Sequence, residues 1–324
     1  MPEGHTIHRA ALDHAADLAG ATVFVSSPQG RFAADAAVVS GRSLERVDAW
    51  GKHLFYVFDN DLSIHVHLGL FGKFWRHALP MPVTHHQVRM RIEGTRDAGT
   101  KARRSIADAS GETALWEGTD FLSPTGSGPS GSDEGGSRRA DEGGLRGHGT
   151  HIQGPVGFDL TGPTACELVD ADGLAKICAR LGPDPIRKDH DASKAFAKLA
   201  RRRSPFGAAL MDQGVVAGVG NVYRAEVLFV HGIHPLVPCD EIDEERWDAV
   251  WATLVTWLRM GVKDRRIITV DPKEIGKAKS RMTREDSTYV YKQDACRRCG
   301  TEIRRWDLAG RWSYACETCQ PPRP

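Results

Sequence analysis

The stretch GVGNVYRAEVLF, residues 218–229, carries the local signals that decide how the second half of the chain folds. Gly218 and Gly220 permit backbone conformations that other residues avoid, and a segment with helical spacing follows them. Asn221 has the side chain of a good N-cap for that helix. The free amides of such a helix start form a phosphate site, although a glycine-rich connection between two helices is more commonly a plain turn. The junction is neither a Walker loop nor a Rossmann loop.

Helical patterns extend on both sides of this junction. The spacing of apolar residues predicts helices over residues 193–203, 206–213, 221–230 and 243–260. The stretch LGPDPI, residues 181–186, is punctuated by prolines and is a candidate hinge in front of them.

Four cysteines after the helices have the spacing of a metal site. Cys296-x-x-Cys299 and Cys316-x-x-Cys319 are separated by sixteen residues. Two CxxC turns complete a tetrahedral S₄ site, so we predict a structural Zn²⁺ with no coordination position open to substrate. Two disulfides are the alternative, which a reducing compartment disfavours.

The segment between the two cysteine pairs reads as two strands with a turn at Ala309-Gly310. Arg311 then lies near the tip of a zinc-stapled hairpin, where it can reach DNA. By position alone, however, a solvated surface arginine is the simpler interpretation.

Before the candidate hinge, the sequence predicts one helix followed by a series of short strands. Residues 5–19 read as an amphipathic helix that ends near Gly20. Short strands follow at TVFV, HLFYVF, SIHVHL, KFW and QVRMRI, with a hairpin turn at Asp59-Asn60-Asp61. Residues 94–154 are rich in Gly, Ser and charge, and we predict a disordered loop inserted into the strand domain. A domain linker is the alternative, but strand-like sequence (PVGFDL) resumes afterwards.

The composition fits a protein with ordinary apolar cores. The 324 residues are 40% hydrophobic and carry a net charge of +1, which does not by itself indicate a nucleic-acid partner. Charge is nevertheless segregated, because residues 259–284 contain nine Lys/Arg and three Asp/Glu. Such a segment can form a basic face or an ordinary solvated surface. No targeting segment or run of membrane-spanning length is evident, so we expect a cytoplasmic location and no membrane partner.

Three motifs occur in order: MPEGHTIHR at residues 1–9, GVGNVYRAEVLF at 218–229, and GRWSYACETCQ at 310–320. Together they resemble the formamidopyrimidine-DNA glycosylase/endonuclease VIII family, and most closely its actinobacterial endonuclease VIII branch. The resemblance implies an α+β multidomain fold in three parts. These are an N-terminal helix with a two-layer β-sandwich (1–182), a helix-two-turn-helix domain (183–288) and a zinc-finger β-hairpin (289–324).

The resemblance also implies which residues perform the chemistry. After removal of Met1, Pro2 would present a secondary amine. An α-amino group has a pKa near 8 and is therefore more often neutral and nucleophilic than a lysine. Pro2 would form a Schiff base with C1′ of the damaged nucleotide, and Glu3 would act as general acid/base on the deoxyribose. Lys52, in WGKHLFY, matches the family's β-hairpin lysine beside the lesion phosphate, although without the family a surface lysine is the simpler interpretation.

Four further residues match the family's DNA-contacting positions. Asn221 and Arg311 would bind phosphates, which positions the DNA without reading its sequence. Leu70 and Phe71 would fill the gap left by an extruded base, or else be core residues beside a strand. Better-known members carry a second glutamate where this chain has His5-Thr6-Ile7, and we interpret His5 as a subfamily substitution rather than a third catalytic group.

The function implied is a bifunctional DNA glycosylase/AP lyase of base-excision repair. It would excise oxidised bases, pyrimidines more than purines, and cleave the strand by β,δ-elimination. We expect it to act as a monomer on damaged duplex, bubble or single-stranded DNA, with one zinc ion. Two alternatives are an AP-lyase specialist with weak base excision, and a non-catalytic protein that binds damaged DNA.

Overall fold

The computed structural model describes residues 2–95 and 155–322. Its N-terminal part consists of a long helix, two short helices and eight strands. The helices are α1 (Gly4–Leu18), α2 (Ala33–Val39) and α3 (Ala171–Ala179). The strands are β1 (Thr22–Ser26), β2 (Arg42–Trp50), β3 (His53–Phe58), β4 (Ser63–His67), β5 (Lys73–Ala78), β6 (Val88–Thr95), β7 (Val156–Thr161) and β8 (Ala165–Val169).

The eight strands form two four-stranded layers that enclose one core. The hydrogen-bonded order is β5-β7-β6-β1-β2-β3-β4-β8, and the layers are joined where β1 pairs with the start of β2. Inward-facing apolar residues of both layers belong to a single buried cluster, for example Val23 and Phe158 from one layer and Leu54 and Val66 from the other. This shared core is that of a β-sandwich, as expected. Helix α1 packs on β2 and β3.

Sequence patterns identified most of these elements. The predicted helix at 5–19 is confirmed, as are the five strand-like runs, the resumed strand at PVGFDL and the turn at Asp61, whose φ is +60°. The predicted insertion lies outside the described residues except for Gly94 and Thr95. These two residues were assigned to the insertion wrongly, because they continue β6 and pair with β1.

The helical part begins after the stretch LGPDPI. It contains α4 (Ala192–Leu199), α5 (Phe206–Ala209), α6 (Asn221–Val230) and α7 (Glu244–Asp264). Helices α4 and α5 are shorter than predicted: Pro205 follows α4 closely, and the Asp212 side chain forms a turn with Gly214 N beyond α5. Buried residues of all four helices share one apolar cluster. Among the described residues, no helix is long and apolar enough to cross a membrane.

The C-terminal part is a two-stranded hairpin, β9 (Arg304–Leu308) and β10 (Arg311–Ala315). Its turn is at Ala309 and Gly310, with φ of +54° and +74°, and this confirms the predicted position. The cysteine pairs flank the hairpin. A third apolar cluster joins this module to α6 through Phe229, Tyr289 and Tyr314.

Candidate active site

The carboxylate of Glu3 lies at the start of α6 and is fully buried. Its Oε2 accepts a 3.0 Å hydrogen bond from Gly220 N, and its Oε1 accepts a 2.8 Å bond from Val222 N. Asn221 is therefore not the N-cap that its residue type predicted. Gly220 occupies the N-cap position, Asn221 is the first helical residue, and Glu3 supplies the oxygen atoms that a capping side chain would provide.

Glycines make this approach between distant segments possible. A Cβ on Gly220 would lie 2.3 Å from the Glu3 carboxyl carbon, and one on Gly4 would lie 2.8 Å from Gly218 Cα. The Gly4 N–H also donates to Gly218 O at 2.8 Å. The expectation of free amides for a phosphate is thus wrong at Gly220 and Val222, because the anion bound there is the protein's own carboxylate.

Lys52 lies in the turn between β2 and β3, on the side of Glu3. Burial raises the pKa of Glu3, and the nearby Lys52 ammonium opposes that shift. Burial lowers the pKa of Lys52. The Glu3 carboxylate opposes this shift, and the Arg311 guanidinium adds to it. Pro2 is half-buried and directly precedes Glu3. The predicted acid and lysine are therefore electrostatically coupled, and the predicted nucleophile directly precedes the acid in the chain.

A buried aspartate that the sequence analysis did not single out holds the lysine turn in place. Asp184 Oδ2 accepts a 2.7 Å hydrogen bond from Gly51 N and lies 2.7 Å from His8 Nε2 on α1. Burial alone would raise the pKa of Asp184, but His8 and the backbone donors outweigh it and lower that pKa. The feature of the sequence that could have indicated this role is the position of an acidic residue among the prolines of LGPDPI.

The two predicted phosphate ligands come from different modules and are adjacent in space. Asn221 Nδ2 donates a 3.0 Å hydrogen bond to the carbonyl of Trp312, the residue after Arg311. The Arg311 side chain is exposed and has no hydrogen bond or ion pair with any residue that the structure describes. Its charge acts on both Lys52 and Arg224. An exposed cation without a protein partner among the described residues therefore lies within electrostatic reach of Lys52.

Leu70 and Phe71 lie in the loop between β4 and β5, where Gly72 N donates to Leu68 O. Their side chains are 47% and 79% exposed. The interpretation of these two residues as core is therefore wrong, and the interpretation as wedges remains a prediction. His5 is buried with its ring edge-on to Tyr223, at 5.5 Å between centroids, and burial lowers its pKa to about 3.

The four cysteines of the C-terminal module are clustered as a metal site requires. Their sulfur atoms all lie within 4.8 Å of one another. Cys296 Sγ is 3.8 Å from Cys319 Sγ, and Cys299 Sγ is 3.4 Å from Cys316 Sγ. A tetrahedron with Zn–S bonds of about 2.3 Å has S···S edges of ~3.8 Å, so the donor set fits Zn²⁺. All four thiols are free, and their separations exclude disulfide bonds.

Several cations of the basic segment at 259–284 are engaged by contacts within the protein. Lys277 pairs with Asp286, Lys279 pairs with Asp264, and Arg265 contacts Asp13. Arg266 donates to the carbonyls of Lys279 and Met282. The segment is therefore less of a free basic face than its composition indicated.

Glu226 is a structural residue that the sequence analysis did not identify. Its fully buried carboxylate accepts hydrogen bonds from the backbone N–H groups of Tyr289, Val290 and Tyr291 at 2.6 to 2.9 Å. It also accepts a 2.6 Å bond from Thr269 Oγ1. Helix α6 thereby fixes the segment that leads into the cysteine module. The feature of the sequence that could have indicated this role is that Glu226 is an acidic residue with apolar neighbours in a predicted helix.

Comparisons with known proteins identify the family to which this chain is related. The formamidopyrimidine-DNA glycosylase N-terminal domain model matches residues 1–107, and the corresponding H2TH domain model matches 181–271. The chain is 39% identical over 326 aligned residues to Endonuclease 8 1 of Mycobacterium tuberculosis, covering 99% of this chain and all of that one. The formamidopyrimidine-DNA glycosylase of Herpetosiphon aurantiacus is 32% identical over 47% of this chain and 56% of its own length.

Solved structures give the same fold. The Lactococcus lactis Fpg, in a complex with DNA containing an abasic site, superposes with a TM-score of 0.66 at 17% identity, covering 99% of this chain and 100% of that one. The full-length similarity, the two domain models and the cysteine module together account for the chain from end to end. The chain belongs to the formamidopyrimidine-DNA glycosylase/endonuclease VIII family of base-excision repair DNA glycosylases and AP lyases, in its actinobacterial endonuclease VIII branch.

Proposed function

We propose that this protein removes oxidised bases, pyrimidines in preference to purines, through a Schiff base on Pro2, and then cleaves the DNA strand by β,δ-elimination. The observation that carries the proposal is the buried Glu3 carboxylate, held by Gly220 N and Val222 N directly beside Pro2 and within the electrostatic reach of Lys52. A protein that only bound DNA would have no need of a free proline amine beside this buried acid.

The Pro2 amine acts as the nucleophile once Met1 is removed. Its nitrogen forms a bond to C1′ while the glycosidic bond breaks, and the base leaves with a proton. The amine loses its own proton to give an aminal at C1′, and breakage of the C1′–O4′ bond, with a proton going to O4′, then gives an iminium ion between Pro2 and the opened sugar. The base must be outside the helix for this attack, because C1′ is not reachable in the stack.

Glu3 moves protons on the deoxyribose. Because burial raises its pKa, the carboxyl can hold the proton that O4′ takes when the sugar ring opens. The subsequent loss of a C2′ proton breaks the C3′–O bond, and loss of a C4′ proton breaks the C5′–O bond. Water then releases the sugar fragment from Pro2.

DNA is held by groups from three modules. Lys52, Asn221 and Arg311 bind phosphates around the lesion, and Leu70 and Phe71 fill the space left by the extruded base. The partner is damaged DNA, and the Lactococcus lactis Fpg of the same fold likewise forms a complex with DNA that contains an abasic site. A structural Zn²⁺ bound by the four cysteines keeps the hairpin folded, so that Arg311 has a fixed position.

Borohydride trapping tests the proposal. Oligonucleotides with a thymine glycol or an abasic site should each form a covalent adduct with the wild-type protein, and Pro2→Gly should trap far less. A variant with an extension before Pro2 should form no adduct, because its nucleophile is blocked. Absence of a wild-type adduct, or equal trapping by the extended variant, would refute the Schiff-base mechanism. Trapping on the abasic substrate alone would indicate an AP lyase without base excision.

A further inference from the structure

Two arginines within residues 2–95 and 155–322 are almost completely buried, and they differ in their partners. Arg187 is 2% exposed and bonds Asp189 at 2.8 Å and 2.9 Å, with Asp48 at 3.5 Å. Arg224 is 1% exposed, yet no carboxylate in the described part of the chain lies within ion-pair distance of it. The Arg224 guanidinium therefore has only neutral hydrogen-bond acceptors.

A buried charge without a counter-ion is costly to fold, which makes its retention informative. Burial lowers the pKa of Arg224 to about 10, and the acid that opposes this most is Glu3. The Arg224 Nε atom is also buried without a hydrogen-bond partner. A methionine would fill the same volume at lower cost, so packing alone does not explain the arginine.

The hydrogen bonds of Arg224 form a closed triangle with Asn221 and Trp312. Arg224 Nη2 donates to Asn221 Oδ1 and, at 2.8 Å, to the carbonyl of Trp312. Asn221 Nδ2 donates to the same carbonyl at 3.0 Å. Since a guanidinium can only donate, it fixes the Asn221 oxygen on its own side. The other Nδ2 hydrogen is directed at the Tyr291 hydroxyl, which forms a hydrogen bond with Asn221.

This triangle joins two proposed phosphate ligands that belong to different modules. Asn221 begins α6, whereas Trp312 follows Arg311 in the hairpin. We propose that Arg224 is a positioning residue for the DNA backbone: it fixes the Asn221 side chain at the start of α6 and holds Arg311 in register with that helix. This inference rests on the proposed function, because it assigns a role within DNA binding.

A double-mutant cycle on DNA affinity tests the inference. The probe is a duplex carrying a tetrahydrofuran abasic analogue, and the dissociation constant is measured at fixed salt. A hydrogen bond to a charged group contributes enough for Asn221→Ala to weaken wild-type binding about tenfold. In an Arg224→Met background the same change should weaken binding by less than about twofold, since the amide is no longer oriented.

Arg224→Lys separates geometry from charge. Lysine keeps the positive charge but loses the planar fork, so the Asn221→Ala effect should be lost there as well. Arg187→Met is the matched control, because it also removes a buried arginine and should lower the thermal midpoint. In the Arg187→Met background, Asn221→Ala should still weaken DNA binding about tenfold.

The outcomes separate the inference from the function on which it rests. If wild-type protein neither binds the probe nor traps an abasic substrate, the proposed function fails. If it does both, and Asn221→Ala costs the same with Arg224 or with methionine at that position, the positioning role is refuted. Thermal midpoints and zinc content of each variant show whether a loss of binding reflects unfolding.

Discussion

Glu3 Oε2 lies 3.0 Å from the backbone nitrogen of Gly220, a residue 217 positions further along the chain. This contact joins the segment that carries the proposed nucleophile to the helix that carries a proposed phosphate ligand. The acid is thus oriented by the same helix start that positions Asn221. Any change that separates Glu3 from Gly220 should therefore disturb chemistry and DNA placement together.

Gly220→Ala should reduce base excision without unfolding the protein. The added Cβ would lie 2.3 Å from the Glu3 carboxyl carbon, whereas the backbone φ of −124° suits alanine. The carboxylate must move, and a displacement of about 1 Å at a reacting group can cost about 100-fold in rate. Single-turnover excision and borohydride trapping measure the loss.

Gly30→Ala is the control for a general effect of glycine replacement. Gly30 has a φ of +88° and no atom within 4 Å of an added Cβ, so alanine costs backbone strain alone, about 1–3 kcal/mol. Its excision rate should equal that of the wild type. A Gly220→Ala protein that excised at the wild-type rate would show that Glu3 does not need this position.

The fold was more predictable from sequence than the site. Helix α1, the hairpin turn at Asp61 and the cysteine module follow from periodicity and spacing that are local in the chain. Strand β2 was not predicted, because a register shift between Leu44 and Arg46 interrupts its alternation of apolar and polar residues. Such an irregularity has no signal in the order of residue types.

The site depends on contacts between distant segments, which explains what the sequence could not provide. The glycines at 218 and 220 were recognised, but their purpose was not: Gly220 admits the Glu3 carboxylate and not a phosphate, and Gly218 packs against Gly4. Arg224 and Asp184 were not singled out either. Nothing near either residue in sequence reveals that Arg224 bonds a hairpin carbonyl or that Asp184 bonds the lysine turn.

His14 should make the protein less stable in acid. Its ring is buried and its Nδ1 lies 2.6 Å from the Tyr56 hydroxyl, and burial lowers its pKa from 6.5 to about 3. As the pH falls below 6.5, the unfolded chain takes up a proton that the folded protein does not. The free energy of unfolding then decreases toward pH 3, by up to about 1.4 kcal/mol per pH unit from this residue.

Urea unfolding of His14→Gln at pH 6.5 and 5.5 tests this contribution. The variant starts from a lower stability, but it should lose about 1 kcal/mol less than the wild type over this interval. His86→Gln, at an exposed position, should lose as much as the wild type. Equal losses in all three proteins would mean that His14 does not resist protonation in the fold.

Removal of zinc should abolish tight DNA binding while the β-sandwich stays folded. The hairpin reaches α6 through the Trp312 carbonyl, which accepts from both Asn221 and Arg224, and the cysteine cluster fixes the base of that hairpin. We expect one zinc per chain by elemental analysis, and at least about a tenfold loss of affinity after chelation.

Cysteine variants provide a check that does not depend on a chelator. Cys316→Ser should lose zinc and DNA affinity together, because Cys316 belongs to the cluster. Cys166→Ser, in β8 and outside the cluster, should retain both. Full affinity in zinc-free protein would assign the hairpin a role other than DNA contact.

Phe71→Ala should impair excision from duplex DNA more than excision from single-stranded DNA. The Phe71 side chain is 79% exposed, so its loss should change the free energy of unfolding by less than about 0.5 kcal/mol. A wedge offsets the cost of unstacking a base, which amounts to a few kcal/mol in a duplex and less where the base is already unpaired. The predicted ratio of duplex to single-strand rates therefore falls about tenfold. Phe24→Ala, which removes another exposed phenylalanine (57%) on β1, should leave that ratio unchanged. A Phe71→Ala variant that slowed both substrates equally would place this side chain outside the step that extrudes the base.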